Sequence, residues 1–201
     1  EAYIADARAV LLSGTAFSAS PSREAMFQMI DYAKKHETAV ILDIDYRPFG
    51  WKNREEAARC YAAVVAQADV VIGNREEFDA VEYLTMPDNR DNERSARTLL
   101  EQGVRLVIVK GGANGSWGYV KDKPAVQCGV IPTRALKTFG SGDAYAAGLM
   151  YGLLNGRGLR YAMQLGTACA SIALTNISCA DGIPKLEKAE QVRIAHYGRE
   201  A

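Results

Sequence analysis

The segment from Lys137 to Gly148, Lys-Thr-Phe-Gly-Ser-Gly-Asp-Ala-Tyr-Ala-Ala-Gly, carries the sharpest chemical signal in the chain. Gly-Ser-Gly leads directly into a long apolar run of helical character. Backbone amides of Gly140, Ser141, Gly142 and Asp143 would then converge at the positive end of a helix dipole, a ready anion site. Glycines let the main chain approach a phosphate without Cβ obstruction. A carboxylate at Asp143 beside that site could accept the proton of an attacking hydroxyl. The alternative is a plain helix-start turn in which Asp143 caps or complements the dipole. Spacing alone leaves both open.

Such residues need a scaffold, and the apolar pattern supplies one. Short strand-like runs at 9–14, 39–43, 69–74 and 106–110 alternate with helical periodicity over 22–33 (Ser22 as its cap), 54–67, 76–83 and 96–102. Residues 116–120 and 125–130 read as a hairpin, 88–93 as a charged loop, and the last third as mostly helical, over 142–155, 159–176 and a polar amphipathic stretch near the end. Strands separated by helices imply βαβ units, a mainly parallel sheet and right-handed crossovers. Ligands of such sheets bind outside the carboxyl ends of the strands. Three clusters fall there: Asp43 to Trp51, Asn74 to Glu77, and Lys110 to Gly115. Two are acidic or amide-rich and one is glycine-rich, which suits a metal-bound polyphosphate.

Composition narrows the partners. The chain has 201 residues with 24 basic and 24 acidic side chains, so its formal charge is zero, and 48% of it is hydrophobic. That suits a single globular domain over 1–201 and gives no field for nucleic acid or an anionic membrane surface. No apolar run approaches the roughly 18 residues of a membrane span. Cys60, Cys128, Cys169 and Cys179 lack CxxC spacing, and His36 and His196 lie far apart. The expectation is reduced thiols, no structural metal and a cytoplasmic protein. Glu1 is no initiator residue, so the natural beginning is expected to be missing here. The charged stretch 88–97 reads as a solvated loop and helix start. A dinucleotide-binding oxidoreductase would need GxGxxG after an early strand, and the sequence has none.

GSGDAYAAG at 140–148 resembles the second signature of the ribokinase-type (PfkB) sugar kinases. The Asp43, Arg47, Trp51 run, the NxxE pattern at Asn74 and Glu77, and the glycine loop at 112–115 match the family in the same order. The resemblance implies a ribokinase-like three-layer α/β/α fold, with the N-terminal strands and lid absent from this chain, and a homodimer formed through that lid. Within the family, LDIDYRPFGW, NREEF, LKTFGSGDAYA and SCADGIP at 178–184 are most similar to the kinases that phosphorylate 5-dehydro-2-deoxygluconate in myo-inositol breakdown. Other sugar kinases of the family, acting on 2-keto-3-deoxygluconate or fructose, are the alternatives, as is a non-catalytic nucleotide-binding relative. Many members carry an acidic residue at Lys137, where it helps hold a monovalent cation. A lysine cannot ligate one.

The resemblance further implies ATP and Mg²⁺. Asp143 is the expected base, and Gly140, Ser141 and Gly142 hold the transferring phosphoryl group. Asn74 and Glu77 organise Mg²⁺ through water, with an Asx turn and a first-turn helix acid as their structural alternatives. Lys110, Gly112 and Gly115 line the nucleotide, against a plain hairpin turn. Arg47 takes the substrate carboxylate or a phosphate, against a salt bridge with Asp43 or Asp45. Asn176 borders the adenine or caps a helix, and Trp51 packs as core.

Overall fold

Runs of aliphatic and β-branched residues make the strands, because such side chains pack well on a pleated surface. In the computed structural model, which describes residues 1–199, these are β1 (Ala9–Ser13), β2 (Ala39–Asp43), β3 (Val70–Asn74) and β4 (Leu106–Lys110). Each pairs in parallel with the next. The register sets Leu12 beside Leu42, Leu42 beside Val71 and Val71 beside Val107, a row of side chains all 0% exposed. Burial of each such side chain contributes roughly 1.5–3 kcal/mol. The same register brings Ser13, Asp43, Asn74 and Lys110 to one carboxyl edge.

Connections α2 (Ser22–Lys35), α3 (Arg54–Val65), α4 (Arg75–Glu82) and α5 (Asn92–Glu101) alternate with these strands, and α1 (Ala2–Ala5) precedes β1. Together they form the first of two compact units, Glu1–Gly111 with Tyr119–Ala125. The second unit holds most of β5 (Ser116–Tyr119), β6 (Val126–Cys128), α6 (Ser141–Leu154), α7 (Leu159–Leu174) and α8 (Leu186–Tyr197). β5 and β6 are antiparallel, with Ser116 opposite Cys128. No described helix is long and apolar enough to cross a membrane.

β1 ends the order of described strands, and there Leu11 is 43% exposed while only Leu12 is fully covered. Three local expectations change. Ser22 does not cap α2. It is the first helical residue, and its hydroxyl donates to the Ala16 and Ala19 carbonyls. α5 starts at Asn92, inside the expected loop, because Asp91 accepts from the Glu93 and Arg94 amides. Nor is 88–97 wholly solvated: Asn89 and Ser95 are buried in a polar network with Glu82 and Arg75.

In the second unit, α6 and α7 meet backbone to backbone. A Cβ on Gly148 would lie 2.8 Å from the Leu165 carbonyl oxygen, and one on Gly152 would lie 2.7 Å from Ala162 Cα. Gly166 faces the Tyr145 carbonyl just as closely, at 2.8 Å. α8 closes over α7 through Arg193, only 4% exposed, which donates to Glu190 and Gln164 and lies 4.5 Å from the Tyr161 ring. Tyr161 donates to Glu190 as well.

Candidate active site

The two units carry separate sets of candidate residues. In the second, Gly140 occupies the capping position of α6 with φ +79°, a conformation L side chains rarely adopt. Ser141 turns back on the preceding loop: its hydroxyl and its amide both donate to the Thr138 carbonyl, at 2.7 and 3.4 Å. The amides of Gly142 and Asp143 lie in the first helical turn, where the helix offers no acceptor. Asp143 is exposed, and its carboxylate makes no hydrogen bond or ion pair among the described residues. It therefore does not act as a side-chain cap. Lys137 donates to the exposed Cys179 thiol at 2.9 Å, and Cys179 packs against Gly140.

Gly112 begins the turn before β5 with φ +57°, and a Cβ there would meet nothing within 4 Å. Gly115 closes the turn by donating to the Gly112 carbonyl. Its φ of +88° and the Cys128 carbonyl oxygen, 2.2 Å from a Cβ, leave room for glycine alone. Asn176 caps the end of α7 by donating to the Ile172 carbonyl at 3.0 Å, and Gly182 of the SCADGIP run packs over it.

The first unit supplies the charged set. Asn74 and Glu77 form a reciprocal capping box for α4: Asn74 Oδ1 accepts from the Glu77 amide at 3.0 Å, and Glu77 Oε2 from the Asn74 amide at 2.7 Å. The structural alternatives for both residues are thus realised, yet they leave Glu77 Oε1 without a hydrogen bond among the described residues. Lys110 Nζ lies 3.0 Å from Asp43 Oδ1 and 3.6 Å from Glu77 Oε2. Asp43 and Glu77 are each only 6% exposed. Burial pushes the Glu77 carboxyl above its usual range, with Lys110 pulling the other way. Burial also works against the charge on Lys110, but Asp43 and Glu77 outweigh it and hold the ammonium above the usual lysine range.

Arg47 pairs with Asp45 at 2.6 Å, one of the two partners its structural alternative named. Asp45 has φ +37° and is held by the Ser13 and Thr15 hydroxyls. Trp51 is buried between the Tyr61 ring and Arg23. Sequence reasoning missed Asp43 as the partner of Lys110. The signal was there: two strand-final residues of opposite charge, two strands apart in a parallel sheet.

A profile of the pfkB family carbohydrate kinases matches residues 1–186. The chain belongs to the pfkB family. It is 44% identical over 191 residues to 5-dehydro-2-deoxygluconokinase of Geobacillus kaustophilus, covering 95% of this chain and 57% of that protein. The pfkB chain thus spans little more than half the length of this relative. Its fold is ribokinase-like: fructokinase from Vibrio cholerae O395, in its fructose, ADP and calcium ion bound form, superposes with a TM-score of 0.80 at 22% identity, over 90% of this chain and 59% of that one. Arabidopsis thaliana ribokinase complexed with ribose and ATP gives 0.75 at 18% identity, over 94% and 57%.

Proposed function

We propose that this pfkB chain carries the nucleotide-binding and catalytic residues of an ATP-dependent kinase that phosphorylates a hydroxyl of 5-dehydro-2-deoxy-D-gluconate. The observation that carries the reading is the start of α6: a left-handed glycine, first-turn amides without helical acceptors, and an exposed Asp143 carboxylate with no structural partner. The Gly142 and Asp143 amides are aimed as a group that stabilises charge growing on a transferring phosphoryl oxygen. Asp143 takes the proton of the sugar hydroxyl as its oxygen bonds to the γ-phosphorus, and the bridging oxygen leaves with ADP. Lys110, Gly112 and Gly115 serve the nucleotide, with Gly112 leaving open space above the turn, and Arg47 serves the acidic substrate. Identity to 5-dehydro-2-deoxygluconokinases supports the choice of sugar acid.

Mg²⁺ fits the donors present. Such an ion keeps most of its water and takes only one or two carboxylates plus phosphate oxygens, and Glu77 offers one. Glu77 Oε1 is open to it while Oε2 keeps the Asn74 amide. Glu77, with Asn74 beside it, would hold Mg²⁺ through water, and the ion would supply positive charge that offsets the nucleotide phosphates.

Asp143→Asn is the test. It should retain ATP binding while phosphorylation slows by roughly 10²–10⁴-fold. Wild-type turnover in that variant would falsify the base assignment, and absence of turnover by the wild type on any sugar acid would favour a non-catalytic nucleotide-binding role. Efficient turnover of fructose with none of the dehydro-deoxygluconate would replace the substrate.

A further inference from the structure

We propose that the Lys110 ammonium is an internal stand-in for the divalent cation: it neutralises Asp43 and Glu77 in the metal-free protein and releases them when a metal arrives with nucleotide. The inference rests on the reading of Glu77 as a metal-organising residue, and it adds Asp43 as the positioning residue that holds Lys110 between engagements.

Three elements converge to make the cluster. Asp43 ends β2, Lys110 ends β4, and Glu77 lies in the first turn of α4. Lys110 lies within ion-pair distance of both buried carboxylates, at positions where unpaired charge is expensive. A divalent ion against the same carboxylates makes Lys110 superfluous and repels it with two charges. Nucleotide phosphates offer the displaced ammonium a new anion. Lysine suits the task better than arginine would, because its charge is a compact point on a flexible stem rather than a fork fixed to one carboxylate. The capping box does not have to break, since Glu77 Oε1 is open while Oε2 keeps the Asn74 amide.

The experiment measures Mn²⁺ binding without nucleotide, by titration with electron paramagnetic resonance detection and by thermal stability. Wild type, Lys110→Met, Lys110→Arg and the double variant Lys110→Met/Glu77→Gln are compared. Lys110→Met should melt lower than wild type without metal, bind Mn²⁺ about tenfold more tightly or better, and recover its melting temperature on binding. Lys110→Arg should stay at or below wild-type affinity, and the double variant should lose the gain. If Lys110→Met folds only when Mn²⁺ is supplied, the inference is supported; if it fails to fold with Mn²⁺ too, the stand-in role is overturned. Unchanged Mn²⁺ affinity in a folded Lys110→Met overturns it as well, as does a gain that survives Glu77→Gln. None of these readouts needs turnover, so the inference fails or stands apart from the Asp143 test of kinase activity.

Discussion

Gly140 is where a single methyl group separates backbone geometry from side-chain crowding. Its φ is +79° and ψ −6°. The nearest atoms to a Cβ built there are Cys179 Cβ and Sγ at 3.4 Å and Cys179 Cα at 3.7 Å, ordinary van der Waals contact. Gly140→Ala therefore carries no steric collision, only the left-handed backbone, which costs a non-glycine residue roughly 1–2 kcal/mol. In a protein of this size about 1 kcal/mol moves the melting temperature by roughly 2–4 °C, so a loop that keeps its shape predicts a loss of roughly 2–8 °C. A loop that relaxes instead preserves the melting temperature but turns the Gly142 and Asp143 amides off their target, and turnover falls. Gly140→Asn should restore stability, because asparagine enters this conformation more readily. Scanning calorimetry and a coupled ATP-consumption assay on the three proteins read both quantities. An alanine variant with wild-type melting and wild-type turnover would refute the argument that this backbone conformation matters.

Two further perturbations test other parts of the molecule. Arg75 donates to Asp79, Glu82, Asn92 and Ser95, and Glu82 is 3% exposed; Arg75→Met should cost about 3–5 kcal/mol in urea unfolding by stranding that carboxylate, and Arg75→Met/Glu82→Leu should regain much of it. A single-variant loss below about 1 kcal/mol would show that the network is not structural. Glu56 is held below its ordinary value of 4.5 by the Arg23 guanidinium and then the Lys52 amide. Its contribution is complete above that value and fades as pH falls through the lower folded one. Glu56→Gln should thus melt below wild type at neutral pH, and the gap should close in acid; a gap that stays constant across the acid range over which the protein remains folded contradicts the pairing.

Periodicity made most elements legible. The β2, β3 and β4 runs are nearly all apolar because both faces are covered, and the helix that follows GSG starts one residue from its expected position. What periodicity could not show was a competition between local polar groups. Asp91 draws α5 back over two residues of apparent loop, and Ser22 prefers two carbonyls behind it to the amides ahead. The charged residues 88–97 look like solvent chemistry in one dimension, yet Asn89 and Ser95 turn inward because Arg75 and Glu82 wait there. At the candidate site the glycine turn and the helix it opens were readable, because Gly-Ser-Gly before an apolar run marks a helix start, whereas the role of Asp143 is not fixed by its spacing. The family resemblance implies that Lys110 lines the nucleotide, and only the folded arrangement of β2, β4 and α4 reveals that Asp43 and Glu77 engage it.

The glycine seat between α6 and α7 bears on how accurately the Asp143 carboxylate, the proposed base, can be aimed. Helices spaced by large side chains inherit the rotameric freedom of those side chains, and their separation drifts as rotamers exchange. Gly148, Gly152 and Gly166 remove that intermediate layer, so main chain rests on main chain. Asp143 lies in the first turn of a helix seated this closely on its neighbour. Exchanging core side chains elsewhere along α6 should therefore alter stability more readily than aim, whereas one methyl group added at the seat would displace the whole helix, and with it the chemistry at its tip.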